Sequence, residues 1–508
     1  MNMKKISFLT FAMVFLLFSS CDEEVLDKNN PSQLSTATFF RTDGQAVAAV
    51  NSIYAGLQAN NLYNREYFFL HDLLSDDCQT GGAQLETVRA QVLNGVYDGS
   101  NKLVNDVWQG LYRIILRANF VINNLPEAEE VSDALKTRLL GEAHFLRAWA
   151  YFELVSLWGP VPLVTEPATT PEGTPRAESE DAIYALIFED LGIAEQNLPL
   201  KSEYSGADIG RATQGATQAL AGKIHMFRGN YQAAKDELQK VITSNEYSLV
   251  DRFLDNFQEE NENNEESVFE VQFSRDFGGG GAWNGDGQGI AEVTFRGQEY
   301  GPNAWRNVIP SDGLVAEFET VGNGAEKDDP RSVYSFFRIG DLFNSGTDTL
   351  SATDVQGDIT KPSWKKYHMI YKQANENSES GINFRVIRYA DVLLMMAEAE
   401  NELNGPAAAL PYINQVRARA DVVMPPYPTA LYPTSTQEEM FDAIVHERRV
   451  ELGGEQIRNR DIRRWRRQGK LDSEPIPVYQ SRHDRLPIPF VEIDNNSALD
   501  NGDQNPGY

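Results

Sequence analysis

The chain has 508 residues, with 74 Asp and Glu against 45 Lys and Arg, giving a formal charge of −29 at pH 7. A surface this acidic repels a phosphate backbone, so nucleic acid is excluded as an expected partner. Its two cysteines, Cys21 and Cys78, cannot make a disulfide framework, so the fold must rest on core burial, for which the length is ample.

The amino terminus reads as an export signal. Lys4 and Lys5 precede an apolar run over residues 6–18, then Ser19 and Ser20 lead directly into Cys21. A positive start, a short apolar stretch and a small-residue cleavage point describe a secretory signal. The run is too short for a membrane-spanning helix, which needs roughly 20 apolar residues. With cysteine after the small pair, residues 1–20 are expected to be removed and Cys21 lipidated, as in a bacterial lipoprotein. Residues 21–35 are rich in Asp, Glu, Asn and Ser and have little to bury, which makes them a flexible tether.

From residue 36 to 258 helical periodicity dominates. Val104, Trp108, Leu111, Ile115, Ala118, Ile122 and Leu125 recur at three- and four-residue steps, and Leu135, Leu139, Ala143, Leu146, Ala150, Leu154 and Leu157 do the same. Each set predicts an amphipathic helix. Pro126 ends the first, Gly159-Pro160 ends the second, and the pair forms an antiparallel hairpin. A further helix pair is predicted over residues 211–244, broken at Gly229-Asn230. Ala221, Gly229 and Ala233 recur as Ala397, Gly405 and Ala409 with the same offsets, which is the logic of tetratricopeptide-like helix pairs. Between the copies, residues 259–380 are rich in Gly, Asn, Asp and Ser with short strand-like runs, and 278–281 are four glycines. A loop-rich insertion on a helical frame is where binding surfaces concentrate. Residues 381–508 return to helix.

Several strings in order carry a family likeness. They include Glu142-Ala143-His144-Phe145-Leu146-Arg147-Ala148-Trp149, Trp158-Gly159-Pro160-Val161-Pro162-Leu163, Asn383-Phe384-Arg385 and Arg388-Tyr389-Ala390-Asp391. Asn414-Gln415-Val416-Arg417, Glu447-Arg448-Arg449, Asp461-Ile462-Arg463-Arg464-Trp465, Leu486-Pro487-Ile488-Pro489 and the terminal Asn505-Pro506-Gly507-Tyr508 follow. Together they resemble the SusD/RagB family of outer-membrane nutrient-binding lipoproteins. The resemblance implies a mainly α fold, with tetratricopeptide-like helix pairs packed against an irregular, loop-rich insertion. It also implies a lipoprotein of the outer membrane facing the cell exterior, which captures oligosaccharide or peptide as a lid on a SusC-like TonB-dependent transporter. No catalytic residue and no cofactor come with it.

The charged residues in these strings, Arg385, Arg388, Glu398, Arg417, Glu447, Arg448, Glu451, Arg463 and Arg464, lie on or beside apolar faces. Charges so placed pair with one another, because an unpaired buried charge is costly. His446-Glu447 begins like a zinc-protease helix, but Val450 stands where the second histidine must be. No Gly-x-Ser-x-Gly elbow is present, and paired carboxylates for glycoside hydrolysis cannot be located without their separation.

Sugar capture asks for aromatic faces with polar edges. The insertion offers Phe277, Trp283, Asn284, Asp286, Arg296, Tyr300 and Trp305, with Phe295 and Asn303 beside them. Residues 61–82, read as a loop, add Tyr67 and Asp72, with Tyr63, Asp76 and Asp77. Oligosaccharide is the expected ligand, peptide the alternative, and hydrolysis of surface glycans a third reading.

Overall fold

The computed structural model describes residues 40–82, 84–166, 173–276, 292–376 and 379–508. Eleven helices of eight or more residues lie among them: α1 (Asp43–Leu57), α2 (Glu66–Leu73), α3 (Lys102–Asn124), α4 (Asp133–Trp158), α5 (Glu180–Asn197), α6 (Gln214–Arg228), α7 (Tyr231–Thr243), α8 (Tyr389–Asn404), α9 (Pro406–Arg417), α10 (Gln437–Leu452) and α11 (Arg458–Arg467). The longer strands are β1 (Cys78–Thr80), β2 (Ser267–Val271), β3 (Val308–Pro310) and β4 (Phe384–Arg388). The fold is mainly α, as the sequence predicts.

Helix α3 starts where Asn101 accepts a hydrogen bond from the Val104 N–H at 3.3 Å, satisfying one of the amides a helix start leaves open. It ends at Leu125, because Pro126 has no N–H to continue. Its partner α4 differs from expectation. From Gly141 to Trp158 every side of α4 is buried, since it packs against α1, α3 and α5 at once. Its charges survive burial by pairing: Glu142 with Arg211, Arg147 with Asp190, and Glu153 with Arg460. The helix stops at Gly159, where φ is +77° and a Cβ would lie 2.5 Å from the Arg485 side chain.

The two repeat-like hairpins form as predicted, with Gly229 at φ +73° and Gly405 at φ +85° closing α6 and α8. Both need the left-handed freedom that glycine supplies. Helix α7 packs on α8, so hairpins far apart in sequence are spatial neighbours and the insertion loops out between them. Ala397 and Ala409 are buried at the second hairpin, whereas Ala233 is only half-buried. In the first, close approach comes from Gly222, where a Cβ would meet Leu238 at 2.7 Å, and from buried Ala234.

Antiparallel pairing stitches the insertion to both flanks. β2 pairs with β4, matching Val271 to Phe384, and β1 pairs with β3, matching Cys78 to Pro310. One continuous apolar core runs from Phe40 to Ile493. The stretch 61–82, read as a loop, instead contains α2, in which all eight residues are buried. With no polar face it shows no amphipathic stripe, which is why periodicity missed it.

The paired charges form an interior network. Glu451 accepts from Arg331, Arg388 and Arg419 at 2.9, 2.7 and 2.7 Å. Glu266 accepts from Arg388 and Arg419, Glu447 from Arg331 and Arg417, and Glu455 from Arg388 and Lys366. Arg448 bridges Asp391 and Asp461, while Arg464 grips Glu398. Arg463 departs from the pattern and donates to neutral oxygens, the Asn459 side chain and the Asp484 carbonyl. Cys78 is buried, and its thiol is pushed well up by burial and by nearby Asp72, so it is no nucleophile.

Candidate functional site

Of the predicted contact residues, Phe277, Trp283, Asn284 and Asp286 lie outside the described residues, as does Cys21. On either side of 277–291, the Ser274 N–H donates to the Glu292 carbonyl at 2.6 Å, which brings the flanking segments together.

Tyr67, Asp72, Arg296 and Tyr300 are interior, a correction to reading them as a ligand face. The Tyr300 hydroxyl donates to Asp72 Oδ2 at 3.0 Å, and Gln456 Nε2 donates to the same oxygen at 2.8 Å. Arg296 stacks over the Tyr300 ring at 4.8 Å and donates to the Gly454 carbonyl at 2.9 Å. Tyr67 donates to Glu153 and accepts from Arg460, both at 3.1 Å. Burial pushes the Asp72 carboxyl up to about 6, against the pull of Arg296. Residue type could not separate these from surface groups, because a buried Tyr–Asp–Arg set uses the same side chains as a sugar site. Tyr63, Phe295 and Asp77 are buried too. The role of this cluster is to seat the segment that carries Trp305.

That segment is rigid. The Trp305 N–H donates to the Gln298 carbonyl at 3.0 Å, and the Asn307 N–H donates to that of Glu299 at 2.8 Å. Buried Glu299 is held by Arg65 and Asn307, each at 2.6 Å. Next to the half-buried Trp305, Arg306 has φ +50° and a buried guanidinium. It donates to Ser363 Oγ and to the carbonyls of Gln356, Asp358 and Lys361 at 2.6–3.0 Å. One arginine thus clips the 356–363 loop to the base of Trp305. Gly81 packs against the same point, since a Cβ there would collide with the Arg306 carbonyl oxygen. On the other side Asn303 Nδ2 donates to the Ala374 carbonyl at 3.0 Å, and Arg275 donates to Gln373 Oε1 at 3.2 Å.

Trp305 therefore stands where four chain segments meet: 79–84, 296–307, 356–363 and 371–376. These segments carry several carboxamides, with Gln84 donating to Gln356 at 3.2 Å and both exposed. Asn375 is exposed, and Gln298, Asn303 and Gln373 are half-buried. An indole supplies an apolar face, and carboxamides both donate and accept. A pyranose, with its C–H face and its ring of hydroxyls, matches that combination. Sequence reasoning singled out Trp305 and Asn303 but not Arg306 or the glutamines on the neighbouring segments. Their only signal was the adjacency of Gln356-Gly357 and Gly81-Gly82, which becomes meaningful once the loops touch.

Among the described residues, no group of three or more His, Cys, Asp or Glu could hold a metal ion, and no helix is long and apolar enough to cross a membrane. A SusD family model matches residues 265–484, and a model described as starch-binding associating with outer membrane matches residues 24–226. The chain belongs to the SusD/RagB family. A SusD-like protein of Formosa agariphila is 29% identical, over 97% of this chain and 98% of its own. A solved SusD superfamily protein of Bacteroides vulgatus superimposes with a TM-score of 0.77 at 26% identity, covering 93% of this chain and all of that one. A solved laminarin-binding SusD-like protein gives a TM-score of 0.77 at 26% identity, covering 92% of this chain and all of that one. The family membership accounts for the helical frame. The Trp305 junction is read from this chain's own residues.

Proposed function

We propose that this SusD-family chain captures neutral oligosaccharides at the outer face of the outer membrane, anchored by lipid on Cys21, and hands them to a SusC-like TonB-dependent transporter. The observation that carries the reading is the half-buried Trp305 on a segment tied to three others, which between them carry Gln84, Asn303, Gln356 and Gln373. The laminarin-binding relative supports the ligand class. The chain binds without cleaving: the carboxylates beneath the platform, Asp72, Glu299 and Glu376, are buried, and Asp72 and Glu299 are tied into hydrogen bonds.

Trp305→Ala tests the site. Losing one stacking face should cost roughly 1 kcal/mol, about a fivefold weaker affinity for a bound oligosaccharide by calorimetry, with an unchanged unfolding midpoint. Undiminished affinity would remove Trp305 from the site.

A further inference from the structure

Away from Trp305, two cavities of 740 and 360 Å3 adjoin along the segment Ile209-Gly210-Arg211, which lines both. Both volumes lie in the range of small-molecule sites. The larger lobe lies against α1 and is walled by Tyr54, with Asn51 and Gln58 on its edge. The smaller is walled by Tyr204, with Asn263 on its edge. Neither shares a lining residue with the Trp305 junction.

The two tyrosines are pinned to one residue. The Ala212 N–H donates to the Tyr54 hydroxyl at 3.0 Å, and the Tyr204 hydroxyl donates to the Ala212 carbonyl at 3.0 Å. Each half-buried ring is thereby fixed in place as the wall of its own lobe. Beneath the ridge an amide pair joins the lobes, Gln272 and Asn263 donating reciprocally at 3.0 and 2.9 Å. The ridge lies directly on it, since a Cβ at Gly210 (φ +94°) would be 2.6 Å from Gln272. Ile209 crowns the ridge, 53% exposed, and lines both lobes.

Charge along the trough is largely spent internally. Arg211 is held by Glu142, Asp208 and Asn51, Lys201 by the carbonyls of Asn264 and Ser267, and Glu246 by Ser202. Glu265 and Glu292 also line the lobes, where a carboxylate accepts from a sugar hydroxyl as a carboxamide oxygen does; the rest of the lining is aromatic, aliphatic and carboxamide surface, which suits an uncharged polyhydroxyl ring.

We propose that this two-lobed trough is a second saccharide site, taking two consecutive neutral sugar residues of one oligosaccharide, one against Tyr54 and one against Tyr204, astride Ile209. The choice of saccharide rests on the capture function proposed above. The site itself rests on the pinned tyrosines and the shared ridge.

The test titrates the mature chain calorimetrically with laminarihexaose, maltohexaose and cellohexaose. Two sites per chain are expected for the ligand that binds, falling to one in Ile209→Arg, which fills the ridge from the solvent side, whereas Trp305→Ala keeps two sites with one of them about fivefold weaker. Hydrogen exchange on the unmutated chain should show ligand-dependent protection of residues 201–213, independently of whether the variant folds. A single site that is unchanged in Ile209→Arg and about fivefold weaker in Trp305→Ala, with no protection of 201–213, overturns the trough and leaves the Trp305 reading standing. No heat with any of the three sugars overturns both.

Discussion

Glu451→Gln is expected to destabilise the fold by about 3–5 kcal/mol, the cost of breaking a buried charge network by removing one partner. Glu451 is fully buried and accepts from three arginines, which come from the insertion, from β4 and from the segment after α9. Without its charge, Arg331, Arg388 and Arg419 share too few carboxylates in a site that water does not reach. Chemical denaturation should show a large fall in midpoint. The exposed Lys102–Asp106 pair on α3 serves as contrast: breaking it should change stability by no more than about 0.5 kcal/mol.

The same network sets the acid response. Burial pushes the Glu451 carboxyl up, but Arg419, Arg388 and Arg331 together pull it far below the usual range. Burial likewise raises Glu153 and Glu319, yet Arg460 on one and the His446 and Arg417 contacts on the other bring both down to about 2. Carboxyls with lowered folded values contribute stability that is complete above their unfolded value, near 4.3, and is lost as pH falls through the folded values. Stability should therefore drop from about pH 4.5 to pH 2 and below. Burial raises Asp72 to about 6 and Glu262 to about 8. Their contributions have the opposite sign, complete below their unfolded values and lost as pH rises through 6 and 8. Unfolding midpoints measured from pH 2 to 9 should thus show a steep acid limb and a shallower decline on the alkaline side.

Cys21→Ala should release the protein from the membrane fraction entirely while leaving its unfolding midpoint unchanged. Cys21 precedes the described body by nineteen residues, Phe40 being the first described, and no described helix could hold the chain in a bilayer by itself. Cell fractionation in a strain lacking the proposed SusC-like transporter isolates the contribution of the proposed lipid. A variant that stays membrane-bound there would refute the lipid anchor.

The helical frame was legible because α3 and α7 bury one stripe, and because Pro126, Gly159, Gly229 and Gly405 punctuate the helices. Helix α2 was missed, since burial on all sides leaves no stripe to read; α4 was read as a helix from its three- and four-residue steps, but its burial all round was not. The paired arginines and glutamates could be recognised as scaffold from their apolar settings, but not their partners: Arg388 meets Glu451 63 residues away and Glu266 122 residues away. At the site, residue type alone could not tell the interior Tyr300–Asp72–Arg296 cluster from a surface constellation. Arg306 was invisible because its partners are mostly backbone carbonyls about 50 residues downstream. Trp305 stands out in the sequence as an aromatic among polar loop residues. Its half-buried setting follows from the Arg306 clip and not from any local pattern.

Capture of neutral oligosaccharide is tested most directly by titrating the mature chain, side by side, against a library of neutral oligosaccharides and a library of basic peptides. Saturable binding of at least one oligosaccharide, with no saturable binding of peptide, is the expected result. Saturable binding of peptides with none of any oligosaccharide would contradict it, and would assign the −29 surface to drawing in cationic ligands.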